Sequence, residues 1–150
     1  MARFVYSCPM RWGDMDALGH INNTAYLVYL EQARIAMFFG QETALPGHII
    51  IANQEIHYRR PVVYHATPLR IEMWVSKVGG ASFDLRYEVY DPTPEHGRAL
   101  GPASTSVTPD AGEVLVATAG ATCVMYDFAR SRPRRLVASE RAVLAALGDG

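Results

Sequence analysis

Residues Arg11 to Arg34 read R-W-G-D-M-D-A-L-G-H-I-N-N-T-A-Y-L-V-Y-L-E-Q-A-R. Two carboxylates, Asp14 and Asp16, and one imidazole, His20, crowd a loop punctuated by Gly13 and Gly19, after which the chain turns strongly apolar. Asn22 or Asn23 suits the N-cap of a helix, because a short side-chain acceptor there takes a free first-turn N–H. Gly40 is the matching stop after Phe39. Tyr26, Leu27, Val28, Tyr29, Leu30, Ile35, Met37, Phe38 and Phe39 cannot share one stripe, so this helix is expected to be wrapped by other elements. Glu31 and Arg34 stand three apart, a spacing that pairs them. A helix start offers unpaired N–H groups and partial positive charge to an oxyanion. A loop carboxylate beside it can attack an activated carbonyl or activate water.

Outward from this stretch the hydrophobic period is two. Phe4, Tyr6, Cys8 and Met10 alternate with Val5, Ser7 and Pro9, a strand with Pro9 hinting at an edge. Ile49–Arg59 reads as a long strand and Pro61–Pro68 as a turn. Leu69, Ile71, Met73 and Val75 alternate with Arg70, Glu72, Trp74 and Ser76. Gly79-Gly80 marks a tight hairpin into Phe83, Leu85, Tyr87 and Val89, which alternate with Asp84, Arg86 and Glu88. Val114–Tyr126 is a last long strand, and Ser139–Leu147 a short closing helix. The Pro/Gly-rich connection from Asp91 to Gly112 is long for a compact domain, which points to disorder or to a face between subunits. One strand, one helix and four further antiparallel strands make an α+β domain, its sheet curved around a central helix. A sheet this small leaves an edge and part of a face uncovered, which favours self-association.

The 150 residues suit one domain with a single core. A formal net charge of −1 argues against nucleic-acid binding. The local run Arg130, Arg132, Arg134 and Arg135 is either a solvated segment or a phosphate clamp. Cys8 and Cys123 fall in predicted strands without metal-ligand spacing and read as buried free thiols of a reducing compartment. No apolar h-region follows Arg3, and no stretch is long enough for a membrane span, so the expected location is the cytoplasm.

Gly13-Asp14-Met15-Asp16, Gly19-His20-Ile21-Asn22-Asn23, Tyr26 and Tyr29-Leu30-Glu31-Gln32-Ala33-Arg34 resemble the hotdog-fold acyl-CoA thioesterases of the 4-hydroxybenzoyl-CoA thioesterase type. Tyr58-Arg59-Arg60-Pro61-Val62 and the strand–Gly79-Gly80–strand hairpin extend the likeness, which covers residues 3–91 and 113–135. The resemblance implies a five-stranded antiparallel sheet wrapped around a long central helix, and hydrolysis of a thioester to a free acid and coenzyme A without a metal or other cofactor. It makes Asp16 the catalytic carboxylate and places the carbonyl-polarising N–H groups near Asn23, Thr24 and Ala25. It also implies a dimer through an edge strand, or a dimer of dimers, with sites at the interface. The acyl group is carried by coenzyme A or an acyl carrier protein. The sequence departs from the pattern at His65-Ala66-Thr67, where relatives carry glycine and an acid, and in the long 91–112 connection.

An aspartate is a carboxylate at neutral pH, so Asp16 suits a nucleophile or base and not a proton donor. Its other reading is the organiser of a glycine-flanked turn. Asp14, two residues away in the loop, is expected to point away from Asp16 and reads as structural. His20 either holds the loop or steers the thioester or water. Glu31 is a further candidate carboxylate on the helix. Tyr26 and the apolar strand faces would line an acyl or aryl pocket, and Lys77 and Ser82 beside the hairpin, with Arg130, Arg132 and Arg134, would touch the coenzyme. Asp14, Asp16 and His20 lack further ligands at a metal-binding spacing. Gly80-Ala81-Ser82-Phe83-Asp84 fails as a nucleophile elbow, having neither the second glycine nor a strand-to-helix setting. Alternative activities are hydration or dehydration of an enoyl thioester and non-catalytic acyl-CoA binding.

Overall fold

The computed structural model describes residues 3–40, 45, 48–94 and 112–148. Of the connection expected over 91–112, residues 95–111 lie outside the described residues. The elements are β1 (Phe4–Cys8), a 3-10 turn (Trp12–Asp14), α1 (Ala25–Phe39), β2 (His48–Tyr58), β3 (Leu69–Val78), β4 (Ser82–Asp91), β5 (Val114–Asp127), β6 (Arg132–Pro133) and α2 (Ala138–Ala146). The sheet runs β1-β3-β4-β5-β2, antiparallel throughout, with β6 added against the end of β5. The long strands and α2 begin and end within two residues of the positions that alternation predicts. β6 was not foreseen, because two residues carry no readable period.

Alternation puts Leu69, Ile71, Met73 and Val75 of β3 and Phe83, Leu85, Tyr87 and Val89 of β4 on the buried face. Ala117, Ala119 and Ala121 of β5 join them. Against this face α1 lays Ala25, Tyr26, Tyr29, Leu30, Ala33, Met37 and Phe38. Phe38 meets Phe83 edge-on, with ring centroids 5.6 Å apart. A helix wrapped on all sides is therefore not what one chain builds. Leu27, Val28, Ile35 and Phe39 remain exposed, because the sheet of a single chain covers one stripe of the cylinder. The expected Glu31–Arg34 pair is likewise replaced. Arg34 donates to Gln54 Oε1 at 3.1 Å and to the Tyr87 hydroxyl at 3.2 Å, acceptors offered by the sheet side of the helix.

The outer face of the sheet is polar. Arg86 of β4, Gly120 of β5 and Glu55 of β2 share one rung. Arg86 reaches across to Glu55 at 2.9 Å, over a glycine whose Cβ would stand 2.5 Å from the guanidinium. At the hairpin, the Gly79 N–H donates to the Ser82 carbonyl at 2.7 Å. Cys8 and Cys123 are buried free thiols pushed up to about 12 by burial.

Three buried carboxylates anchor the periphery. Glu140 of α2, 2% exposed, takes two hydrogen bonds from Arg134 at 3.0 and 2.6 Å and caps the Val137 N–H at 2.9 Å. Its bonds from Arg134 outweigh burial and hold its carboxyl below the usual range. Asp91, where β4 ends, meets His65 Nε2 at 2.8 Å. This buried pair gives His65 a structural role, since it fastens the 59–68 segment to the end of β4. Asp14 accepts from the Tyr29 hydroxyl at 2.6 Å, the Arg11 backbone N–H at 3.0 Å and Arg11 Nε at 3.1 Å. Burial opposes its ionisation, and the hydrogen bonds from Tyr29 and Arg11 overcome that and hold its carboxyl below the usual range.

Two measurements follow. His65→Ala leaves buried Asp91 with the Thr93 N–H but without the imidazole and should lower unfolding free energy by about 1–3 kcal/mol in denaturant titration. A loss under about 1 kcal/mol, the scale of an exposed pair, would count against that anchoring role. Because the folded-state pKa of Asp14 is depressed, its stabilisation is present above the unfolded value of about 3.9 and disappears as pH falls through the folded value. Tyr29→Phe should therefore destabilise at neutral pH by about 1.5–3 kcal/mol. It should also shrink the stability lost on acidification below about pH 4.

Candidate active site

The loop between β1 and α1 is shaped by its own polar groups. The Asp14 carboxylate, 8% exposed, points inward, and its carbonyl accepts the Asn22 N–H at 2.8 Å. The Ile21 N–H donates to the Val62 carbonyl at 2.7 Å, tying the loop to the segment after β2. Asp16 donates its N–H to the His20 carbonyl at 2.8 Å. Its Oδ1 accepts the N–H groups of Leu18 at 2.9 Å and His20 at 3.2 Å. The turn closes through Gly19 at φ 81°, a left-handed conformation that a side chain strains. Asp16 is thus a turn organiser through one carboxylate oxygen. Its Oδ2 has no partner among the described residues.

The helix start differs in detail from the expectation. The N-cap position is Thr24, and its side chain does not cap. Asn22 does that work two residues earlier, Oδ1 accepting the Thr24 N–H at 3.0 Å while its carbonyl accepts the Ala25 N–H at 2.9 Å. Of the three residues expected to present amides, Thr24 and Ala25 therefore have theirs engaged. The Asn23 N–H and that of Tyr26 meet no acceptor among the described residues.

Asp16, His20, Ile21, Asn23 and Tyr26 line one cleft of about 320 Å³ with Tyr58, Arg59, Arg60 and Pro61. Tyr58 holds the two sides together. Its hydroxyl donates to the Asn23 carbonyl at 2.8 Å, and its ring meets that of Tyr26 edge-on at 5.2 Å. Burial raises the pKa of both phenols, so they are neutral donors near neutral pH. Tyr58, Arg59 and Arg60 had no assigned role in the sequence reading. The signal was present in two arginines between a strand-ending tyrosine and Pro61, but only the fold shows that β2 ends over the start of α1.

The other expected binding residues lie elsewhere in the chain. Tyr58 pairs with Ala117 at the cleft end of β2, and His48 with Tyr126 at the opposite end. With 11 residues, β2 spans roughly 35 Å at ~3.3 Å per residue. Lys77 and Ser82 flank the hairpin at the far end, where Ser82 pairs with Val124. Arg132 pairs with Asp127 at that end, and Arg130 lies 3.9 Å from the Asp127 carboxylate. Arg134 is committed to Glu140. One chain does not bring these five residues to Asp16. Glu31 is exposed and outside the cleft lining. Among the described residues no His, Cys, Asp and Glu side chains gather in a group of three or more that could hold a metal. No helix among them is long and apolar enough to cross a membrane.

Residues 10–147 match the family model of the thioesterase-like superfamily. The uncharacterized protein YsmA of Bacillus subtilis is 30% identical over 87 residues. That match spans 56% of this chain and 58% of the length of that curated relative. A Thermus thermophilus thioesterase solved with coenzyme A and zinc is 25% identical, with a TM-score of 0.71 over 95% of this chain and 92% of that one. The PA2801 protein of Pseudomonas aeruginosa is 26% identical, with a TM-score of 0.70 over 95% and 98%. A Bacillus stearothermophilus protein with a TM-score of 0.74, over 98% of this chain and 97% of that one, shares 20% identity and so speaks for the hotdog fold alone. The family model spans the loop, α1, β2 to β6 and α2, and on that span this chain belongs to the thioesterase-like superfamily.

Proposed function

We propose that the chain is an acyl-CoA thioesterase of the 4-hydroxybenzoyl-CoA thioesterase type, acting in the cytoplasm as a single hotdog domain around its long helix, without metal or other cofactor. The observation that carries this reading is the unused Oδ2 of Asp16 in the same cleft as the open amide of Asn23. With the thioester carbonyl oxygen toward the Asn23 and Tyr26 N–H groups, negative charge developing on that oxygen meets preorganised donors and the positive end of α1. Asp16 then either attacks the carbonyl carbon, giving an anhydride that water cleaves, or removes a proton from the attacking water. In both routes the C–S bond breaks, the coenzyme leaves as thiolate and takes a proton, and the acid is released. His20 lines the cleft beside Asp16 and would position the thioester or the water. Tyr26 and Tyr58 form an aromatic wall for the acyl group.

The exposed edge strand β2 is where we place a second copy of the chain. Antiparallel pairing along β2 would set the partner's His48 end beside this chain's Tyr58 end. The partner's Phe128, Arg130 and Arg132 would then come toward this cleft, where they could hold the nucleotide of coenzyme A. This gives the basic run its role despite its distance from Asp16 within one chain.

Asp16→Asn keeps an Oδ1 acceptor for the Leu18 and His20 amides, so it separates chemistry from turn formation. It should lower kcat for free-thiol release from acyl-CoAs by about 10²–10⁴-fold with little change in thermal stability, and undiminished turnover would remove Asp16 from the mechanism. A His20 substitution as damaging as that of Asp16, with water adding to an enoyl thioester, would favour the hydratase reading. Replacing Arg130 and Arg132 by glutamate should raise KM for an acyl-CoA and leave hydrolysis of the matching N-acetylcysteamine thioester unchanged. Sedimentation should show a dimer.

A further inference from the structure

Arg59 and Arg60 line the cleft of Asp16, yet neither lies within ion-pair distance of a carboxylate among the described residues. Arg3, Arg11, Arg70, Arg86, Arg130 and Arg134 do, and the other unpaired arginines, Arg34, Arg132, Arg135 and Arg141, lie outside this cleft. Arg59 reaches only Thr118 Oγ1, at 3.5 Å, and the Arg60 guanidinium meets no partner among those residues. Their backbone is nevertheless held firmly. Both N–H groups donate to the Val116 carbonyl, at 2.8 and 3.2 Å, Pro61 follows, and the Tyr58–Asn23 bond clamps the strand end to the helix start. Both line one cleft, and guanidinium groups take an oxyanion through planar, bidentate hydrogen bonds. Tyr26 adds a donor, because it lines the same cleft and its hydroxyl has no hydrogen-bond partner among the described residues; no fully buried side-chain polar atom among those residues lacks a partner, so this hydroxyl keeps contact with solvent.

We propose that Arg59 and Arg60 recognise a carboxylate carried by the acyl group, so that the preferred substrate is the half-thioester of a short dicarboxylic acid. The inference rests on the thioester-hydrolase reading and names its substrate class. Reach argues for the acyl group over the coenzyme. The phosphate nearest the sulfur of coenzyme A stands off by the whole pantetheine arm, whereas both arginines share a 320 Å³ cleft with Asp16. A carboxylate a few carbons beyond the thioester carbonyl falls inside that space. It would be repelled by the Asp16 carboxylate at this range, and the two guanidinium groups offset that repulsion.

The test compares succinyl and butyryl thioesters of N-acetylcysteamine, which carry no phosphate, and of coenzyme A, in wild type and in Arg59→Gln/Arg60→Gln. Wild type should favour the succinyl ester at least tenfold in kcat/KM, and the double variant should bring that ratio close to one. Because the ratio is taken within one preparation, a partly unfolded variant cannot imitate the effect. A wild-type ratio near one, or a ratio that survives in the variant, overturns the proposal. So does an equal loss on both coenzyme A esters with no loss on the phosphate-free pair, which would assign the arginines to phosphate. If wild type hydrolyses none of the four, calorimetry with the S-(3-carboxypropyl) and S-butyl thioethers of N-acetylcysteamine decides the matter. Tighter binding of the carboxylated analogue, abolished in the variant, keeps this inference while ending the hydrolase reading, and equal binding ends the inference too.

Discussion

Asp14 is a carboxylate taken out of water, and its demand for donors shapes the loop between β1 and α1. It collects the Arg11 backbone N–H, the Arg11 guanidinium and the Tyr29 hydroxyl. Leaving any of them unmet would cost more than an ordinary hydrogen bond gains. Tyr29 lies on the buried face of α1, so satisfying Asp14 also fixes where the loop meets the helix. Asp14 ends the 3-10 turn with its carboxylate inward, while Asp16 closes the next turn and lines the cleft. The buried ion thus anchors the loop that carries the site.

The same logic distributes charge over the rest of the molecule. Glu140 and Asp91 are nearly buried, each held by a cation or imidazole, and both stitch peripheral segments to the sheet. On the outer face Arg3, Arg70 and Arg86 interleave with Glu55, Glu72, Glu88 and Glu113. These half-exposed pairs contribute little individually to stability. Arg59 and Arg60 differ from the other unpaired arginines in lining the cleft of Asp16.

What the chain shows before folding is its periodicity and its punctuation. Alternation over Leu69–Ser76 and Phe83–Val89, the Gly79-Gly80 turn and the apolar run up to Phe39 place the elements, because side-chain direction follows backbone period locally. The motif around Asp16 was also legible, since glycine, aspartate and asparagine act on their own neighbouring backbone through Asx-type turns. Less legible were the capping details. Asn22, Asn23 and Thr24 are all competent, and which of them holds the Thr24 and Ala25 amides depends on where the loop enters the helix.

Long-range partnerships were decided by the tertiary structure alone. Nothing local says that Arg34 prefers Gln54 and Tyr87 to Glu31, that Arg134 belongs to Glu140, or that His65 finds Asp91. The order β1-β3-β4-β5-β2 brings Tyr58 and its arginines over the start of α1 and sends Lys77, Ser82 and the basic run to the opposite end of the sheet. By itself the sequence determined the long strands, the two helices and the turn that Asp16 organises, because those depend on interactions a few residues apart. The company Asp16 keeps was decided by strand order and register, which place residues tens of positions apart on one surface.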